Sequence, residues 1–231
     1  MSPEMIDKFD ALVKTLEKKL GTTESATAES LFPDARLSQD SLLNELVVSM
    51  LLWEASSAYA AKAIERINEE LVDLNELRVC LPEELSTIIG VRMPRSLERA
   101  QRLIAVLNEI YDRENALTLT KLREMNKRDA QEYLSSIDGL PPYAAARVIL
   151  FGMDWHAFPL DERLAKMLSV EGVITPGDPV EQQNAQLERG VRASDSAKAY
   201  SLIERWAQNQ RVGSRSSGSR AKTGSVKGAT S

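Results

Sequence analysis

The sequence predicts an all-α fold on three observations. Hydrophobic residues make up 43% of the 231 and aromatics only 5%, a Leu-, Ala-, Val- and Ile-rich supply that suits packed helices better than a β-sandwich. Apolar residues recur at three- and four-residue spacing as far as Gln208, and no stretch alternates as a half-buried strand would. Gly and Pro fall between these helical periods, not inside them. A chain of this length hides roughly 70% of the surface it exposes when unfolded, so it needs no covalent staples.

Taken in order, Met5, Phe9, Leu12, Val13, Leu16 and Leu20 lie on one helical face. With Ser2 as N-cap and Pro3 at the first helical position they predict an amphipathic helix over 3–20, stopped by Gly21. The polar stretch GTTESATAESLFPDARLSQD, punctuated by Pro33, is expected to be a connecting loop. Residues 1–39 thus read as an N-terminal helix and linker, and 40–209 as the main helical domain. From a cap at Asp40 or Ser41 the chain is apolar on nearly all faces through Trp53, the mark of a central helix buried on several sides. A second helix follows Ser56-Ser57. Helical turns are expected around Leu71 to Leu81, a new start at Pro82-Glu83-Glu84, a break at Gly90, a long helix from Ser96 to Tyr111 and another start at Thr120 or Asn126. Residues 210–231 are expected to be a disordered basic tail: from Arg211 onward they hold six Ser, four Gly and no large apolar side chain beyond two Val, too little to offset ordering entropy.

The formal charge of −5 at first argues against a nucleic-acid partner. It is a sum over unlike parts: the tail carries Arg211, Arg215, Arg220, Lys222 and Lys227 with no acid, leaving −10 on the body. A single cysteine, Cys80, excludes a disulfide framework, a Cys-rich zinc module and a four-cysteine iron–sulfur cluster. His156 has no Cys or His near it in sequence, so no metal and no cofactor are expected. The longest apolar run, Leu46 to Trp53, is interrupted by Ser49 and falls far short of the ~18 residues that cross a bilayer. No membrane partner and no secretory signal are expected, and the cytoplasm is the expected compartment.

The most informative stretch is YLSSIDGLPPYAAARVILFGMDWHAFPLDERLAKML, residues 133–168. It reads as helix, tight turn at Asp138-Gly139 and Pro141-Pro142, helix, loop, helix. Such a turn presents backbone N–H groups that bind a phosphate without reading a base. The segment resembles the helix-hairpin-helix, Gly/Pro-rich loop and Asp signature of the endonuclease III superfamily of DNA glycosylases. That family's hairpin runs roughly L-P-G-V-G-x-(K/Y/S)-T-A, and Ile137, Asp138, Gly139, Leu140, Pro141, Pro142, Tyr143, Ala144 and Ala145 fall on it in order. Asp161 in FPLDER follows Tyr143 by 18 positions, the family's spacing between its two catalytic positions. LVVSMLLWEASSAYAAKAI and IIGVRMPRSLERAQRLIAVLNEIY resemble the family's first core helix and its I-G-(Y/F)-x-x-x-K-A helix.

The resemblance implies two helical lobes around a cleft, double-stranded DNA as partner, a monomer, and hydrolysis of the N-glycosidic bond of a damaged or mismatched base. Three departures stand out. Bifunctional members carry a Schiff-base Lys where this chain has Tyr143, so the implied chemistry is monofunctional, without strand cleavage. Pro141 replaces the second hairpin Gly and removes an N–H from the phosphate clamp. Glu54 stands where many members place a Gln in the DNA stack, and its carboxylate is repelled by phosphates unless protonated.

Each candidate residue has a plainer reading beside the functional one. Asp161 is the implied catalytic carboxylate or a helix N-cap, and the two roles are compatible. Tyr143, Trp53 and Glu54 are base-pocket candidates, although Tyr143 and Trp53 also suit the core. Gly139, Leu140 and Pro141 are the hairpin's DNA contacts. Arg92, Arg95, Arg99 and Arg102 form a basic stripe, Lys127 and Arg128 a second patch, and Arg147 reaches either a phosphate or a carboxylate; charge runs are more often solvated faces. The other readings are a catalytically degenerate DNA-binding module and, more weakly, a helical protein-interaction domain using the acidic body.

Overall fold

The computed structural model describes residues 1–21, 25–35 and 37–209; the tail expected at 210–231 lies outside them. Every regular element among the described residues is helical. Helix α1 spans Pro3–Leu20, with the Ser2 hydroxyl accepting from the Met5 N–H and Gly21 closing it at φ 73°. It is not a detached arm. It packs on the last helix, α12 (Ala193–Asn209), and Phe9 meets Phe158 edge-on at 5.9 Å between ring centroids. The stretch expected to be only a loop contains a short helix, α2 (Ala28–Leu31), and buries Ala26, Ala28, Ala35 and Leu37. Those small apolar residues carried no helical period, because their burial comes from contacts far along the chain.

Helix α3 (Ser41–Leu52) is the central element, with ten of its twelve residues buried. Asp40 caps it, one carboxylate oxygen accepting from the Leu42 N–H at 2.9 Å and the other from Leu119 at 2.5 Å. On one side α3 packs on α4 (Ser57–Glu70) and on α7 (Ser96–Glu114), which with α5 (Leu74–Val79) and α6 (Pro82–Ile89) form one lobe. On its other side lies the hairpin: α8 (Lys127–Ser135), then α9 (Pro142–Arg147), which continues into a π-turn at Val148–Gly152. Thr120–Glu124 ahead of α8 is a 3-10 turn. The second lobe is α10 (Glu162–Val170), α11 (Val180–Gly190), α12 and α1. Among the described residues no helix is long and apolar enough to cross a membrane.

The hairpin turn is set by local chemistry. Gly139 sits at φ 80°, and a Cβ there would find its nearest neighbours at an ordinary 3.8 Å, so the backbone angle and not crowding asks for glycine. Arg102 on α7 donates to the Gly139 carbonyl at 3.2 Å and Arg113 to Ser136, which docks the turn against the first lobe.

Candidate active site

A cavity of about 960 Å³ opens where the two lobes and the hairpin meet, within the size range of ligand pockets. Its walls come from segments that are distant in sequence: Trp53 and Glu54 after α3, Arg95 before α7, Tyr143 in α9, Asp161 and Glu162 at the start of α10, and Pro176 to Pro179 of the α10–α11 connection with the first turns of α11 as far as Asn184. Five residues singled out from sequence, Trp53, Glu54, Arg95, Tyr143 and Asp161, thus share one cavity. The Pro176–Asn184 wall was missed, because nothing local marks a loop as facing a site.

Asp161 is the N-cap of α10 and also a cavity residue. Its Oδ1 accepts from the Leu164 N–H at 2.8 Å, and its Oδ2 accepts from the Glu54 N–H at 2.9 Å, so the carboxylate is fixed from two sides. Burial raises its pKa, opposed by Arg163 and by the two N–H bonds. Arg163 approaches Oδ2 to 3.9 Å and forms its closer contact, 3.2 Å, with the fully buried Glu204 of α12. Glu54 returns the bond: its Oε1 accepts from the Glu162 N–H at 2.7 Å. It holds a left-handed backbone at φ 53°, as Arg95 does at φ 54°, a conformation that costs a non-glycine residue roughly 1–2 kcal/mol. Two of the four non-glycine residues with positive φ among the described residues thus lie on this cavity's wall. Burial and the facing Asp161 both raise the Glu54 pKa.

Tyr143 is buried as well as cavity-facing, and its hydroxyl lies 3.1 Å from that of Tyr200. Burial, with Glu204 close by, holds its pKa above the ordinary tyrosine value. Behind it runs a buried polar chain that was not legible as a site. Tyr200 lies 3.2 Å from Glu204 Oε2 and 3.3 Å from Arg147, and Arg147 pairs with Glu45 at 2.9 Å and donates to Ser49 and the Ala26 carbonyl. Glu45 also accepts from the Ala28 N–H at 2.6 Å. A signal did exist: Glu45 and Ser49 are one turn apart within a helix that is apolar on nearly all faces, which asks for a buried partner.

The basic residues divide. Arg147, expected at a phosphate or a carboxylate, is fully buried and takes the carboxylate. Burial works against its charge, but Glu45, with Tyr200, Tyr143 and Glu204 behind it, raises its pKa well above the usual arginine value. Arg99 is likewise fully buried and donates to the carbonyls of Met50, Trp53 and Pro94, closing the C-terminal end of α3; burial lowers its pKa to about 10. Neither guanidinium reaches a phosphate. Lys127 is half-buried and donates to the His156 carbonyl at 2.5 Å. Arg92 and Arg128 are exposed, and so is Arg95, on the cavity rim. Trp53 is half-buried with the guanidiniums of Arg95, Arg99 and Arg102 within 5.1–5.6 Å of its ring, stacking of the cation–π kind. In the hairpin, Pro141 and Pro142 have no N–H and the Leu140 N–H goes to the Ile137 carbonyl at 3.3 Å, so few donors remain for a phosphate.

By sequence, no family model and no curated protein matches the chain. Its fold matches solved structures. An endonuclease III in a non-covalent complex with DNA superposes at TM-score 0.63 and 13% identity, over 86% of this chain and 84% of the other. The H. pylori 3-methyladenine DNA glycosylase bound to 1,N6-ethenoadenine superposes at 0.60 and 14% identity, over 89% and 99%. A thermostable thymine-DNA glycosylase gives 0.60 and 13%, over 91% and 90%. The chain therefore has the all-α helix-hairpin-helix fold of these proteins, the fold its hairpin and Asp161 pointed to.

Proposed function

We propose that this chain is a DNA N-glycosylase that hydrolyses the glycosidic bond of a damaged or mismatched base flipped out of double-stranded DNA, acting as a monomer and without cleaving the strand. The observation that carries the reading is the position of Asp161. A carboxylate anchored by two backbone N–H groups sits in the wall of a cavity of nucleotide scale, between the lobes of a fold shared with DNA glycosylases. As the C1′–N bond lengthens, positive charge develops on the sugar, and a fixed carboxylate in a water-poor wall stabilises that charge and orients the attacking water. Trp53 supplies flat surface for the base, and the buried Tyr143 backs the cavity wall behind it. Tyr143 occupies the hairpin position of the Schiff-base lysine and has no amine, which supports hydrolysis without a covalent sugar intermediate.

The test is single-turnover base release from duplexes carrying uracil, a T:G mismatch, A opposite 8-oxoguanine, or alkylated purines. Wild type releases one class of base and leaves the strand intact, and borohydride traps no covalent adduct. Asp161→Asn slows release by about 10²–10⁴-fold while duplex binding persists. Binding with no release in either protein would favour the degenerate DNA-binding module, a reading supported by the hairpin's few remaining N–H donors.

A further inference from the structure

The geometry points to Glu54 as a second catalytic residue, the general acid that protonates the departing base while Asp161 faces the sugar. The inference rests on the glycosylase reading above. It starts from the reciprocal bonding of the two carboxylates: the Glu54 N–H binds Asp161 Oδ2, and the Glu162 N–H at the start of α10 binds Glu54 Oε1. Asp161 is thereby positioned by the backbone of Glu54, and Glu54 by the backbone of Glu162 next to Asp161, across more than a hundred residues of sequence. Among the described residues no hydrogen bond engages Glu54 Oε2, and Glu54 lines the cavity. Its backbone is left-handed at φ 53°, a departure from easy geometry at a cavity-lining residue.

The surroundings divide the labour. Asp161 is the more deeply buried of the two, a cost to its charge that Glu204 adds to and that two N–H bonds and Arg163 offset. Glu54 accepts one N–H bond and faces two acids, Asp161 and Glu162 of α10. Against them stand Arg95 before α7, shared with Glu98 at 3.3 Å, and Arg99 of α7, whose guanidinium is spent on three carbonyls. The role proposed for Glu54 places the proton of the pair on the carboxyl whose Oε2 accepts no hydrogen bond among the described residues, and leaves the anion on Asp161, where both oxygens already accept N–H bonds. In the reaction, the C1′–N pair of electrons leaves with the base and a ring heteroatom of the base takes the Glu54 proton. Water adds to C1′, and the proton it loses returns to the Glu54 carboxylate. The same protonation removes the repulsion that a charged Glu54 would exert on nearby phosphates.

The experiment uses the full chain and two readouts. In the free protein, the Glu54 carboxyl followed by 13C NMR titrates above the ordinary carboxylate range and its signal is absent from Glu54→Gln. On the neutral bases of the panel, Glu54→Gln, which keeps an oxygen for the Glu162 N–H, slows release about 10²-fold or more. It also abolishes the fall in wild-type rate at high pH that deprotonation of a general acid produces. Wild-type release with an unimpaired Glu54→Gln, or release confined to bases that are already cationic and need no acid, overturns the role of Glu54 and leaves the glycosylase reading standing. No release by wild type from any duplex overturns both.

Discussion

Asp161 and Glu54 differ in how far each was visible beforehand. The sequence LDER announces an Asp at a helix start, and Asp161 does cap α10. Glu54 looked like a misplaced charge, because the groups that make sense of it, Asp161 and the Glu162 N–H, lie more than a hundred residues away. Its raised pKa makes a stability prediction with a definite sign. Folded Glu54 binds its proton more tightly than unfolded Glu54, so the stability it contributes is complete below the unfolded value of about 4.3 and is lost as pH rises through the folded value. Urea unfolding of wild type and Glu54→Gln across acid to neutral pH should show the variant gaining on wild type as pH rises. A difference that is flat, or that runs the other way, contradicts the protonated Glu54. Asp161→Ala additionally removes the cap, and about 1 kcal/mol of stability should go with it, a loss Asp161→Asn largely avoids because an amide oxygen can still cap.

At the scale of elements, α3 is the organising helix, and its all-round apolar pattern was read correctly as burial on several sides. Its two buried polar residues, Glu45 and Ser49, were the unread part of the same pattern. They receive Arg147 of α9 and bind it to the segment ahead of α3 through Ala26 and Ala28. Arg147→Met should therefore lower stability by about 3–5 kcal/mol, the usual cost of leaving a buried charge unpaired, as measured by urea unfolding. The salt dependence of DNA binding by whatever fraction remains folded should stay as in wild type. A reduced salt slope with unchanged stability would return Arg147 to the DNA surface. The hairpin behaves differently. Gly139→Ala should cost about 1–2 kcal/mol for its left-handed angle, since a methyl group there meets nothing closer than 3.8 Å.

For the whole molecule, the charge sum concealed two things: how the body's own arginines are used, and where the exposed ones sit. Arg99 and Arg147 are structural cations, while Arg92, Arg95 and Arg128 are exposed. If the exposed set meets phosphate, the Arg92→Ala/Arg128→Ala double variant should flatten the slope of log affinity against log salt by about 0.9 per charge removed; an unchanged slope puts the DNA elsewhere. The cavity is also a property of the whole chain: its wall at Pro176–Asn184 shares one cavity with Trp53, Glu54 and Arg95 only where the second lobe closes on the first. No local period or motif encodes that closure. The most direct test of the central claim avoids any dependence on which base is removed. It compares the affinity for a duplex carrying a cationic nitrogen sugar at an abasic position with that for the same duplex carrying a neutral abasic sugar. With Asp161 facing the nascent sugar cation, wild type should bind the cationic duplex at least about 10²-fold more tightly, and Asp161→Asn should lose that preference. Equal affinity for both duplexes in wild type would contradict the placement of Asp161 at the reacting carbon.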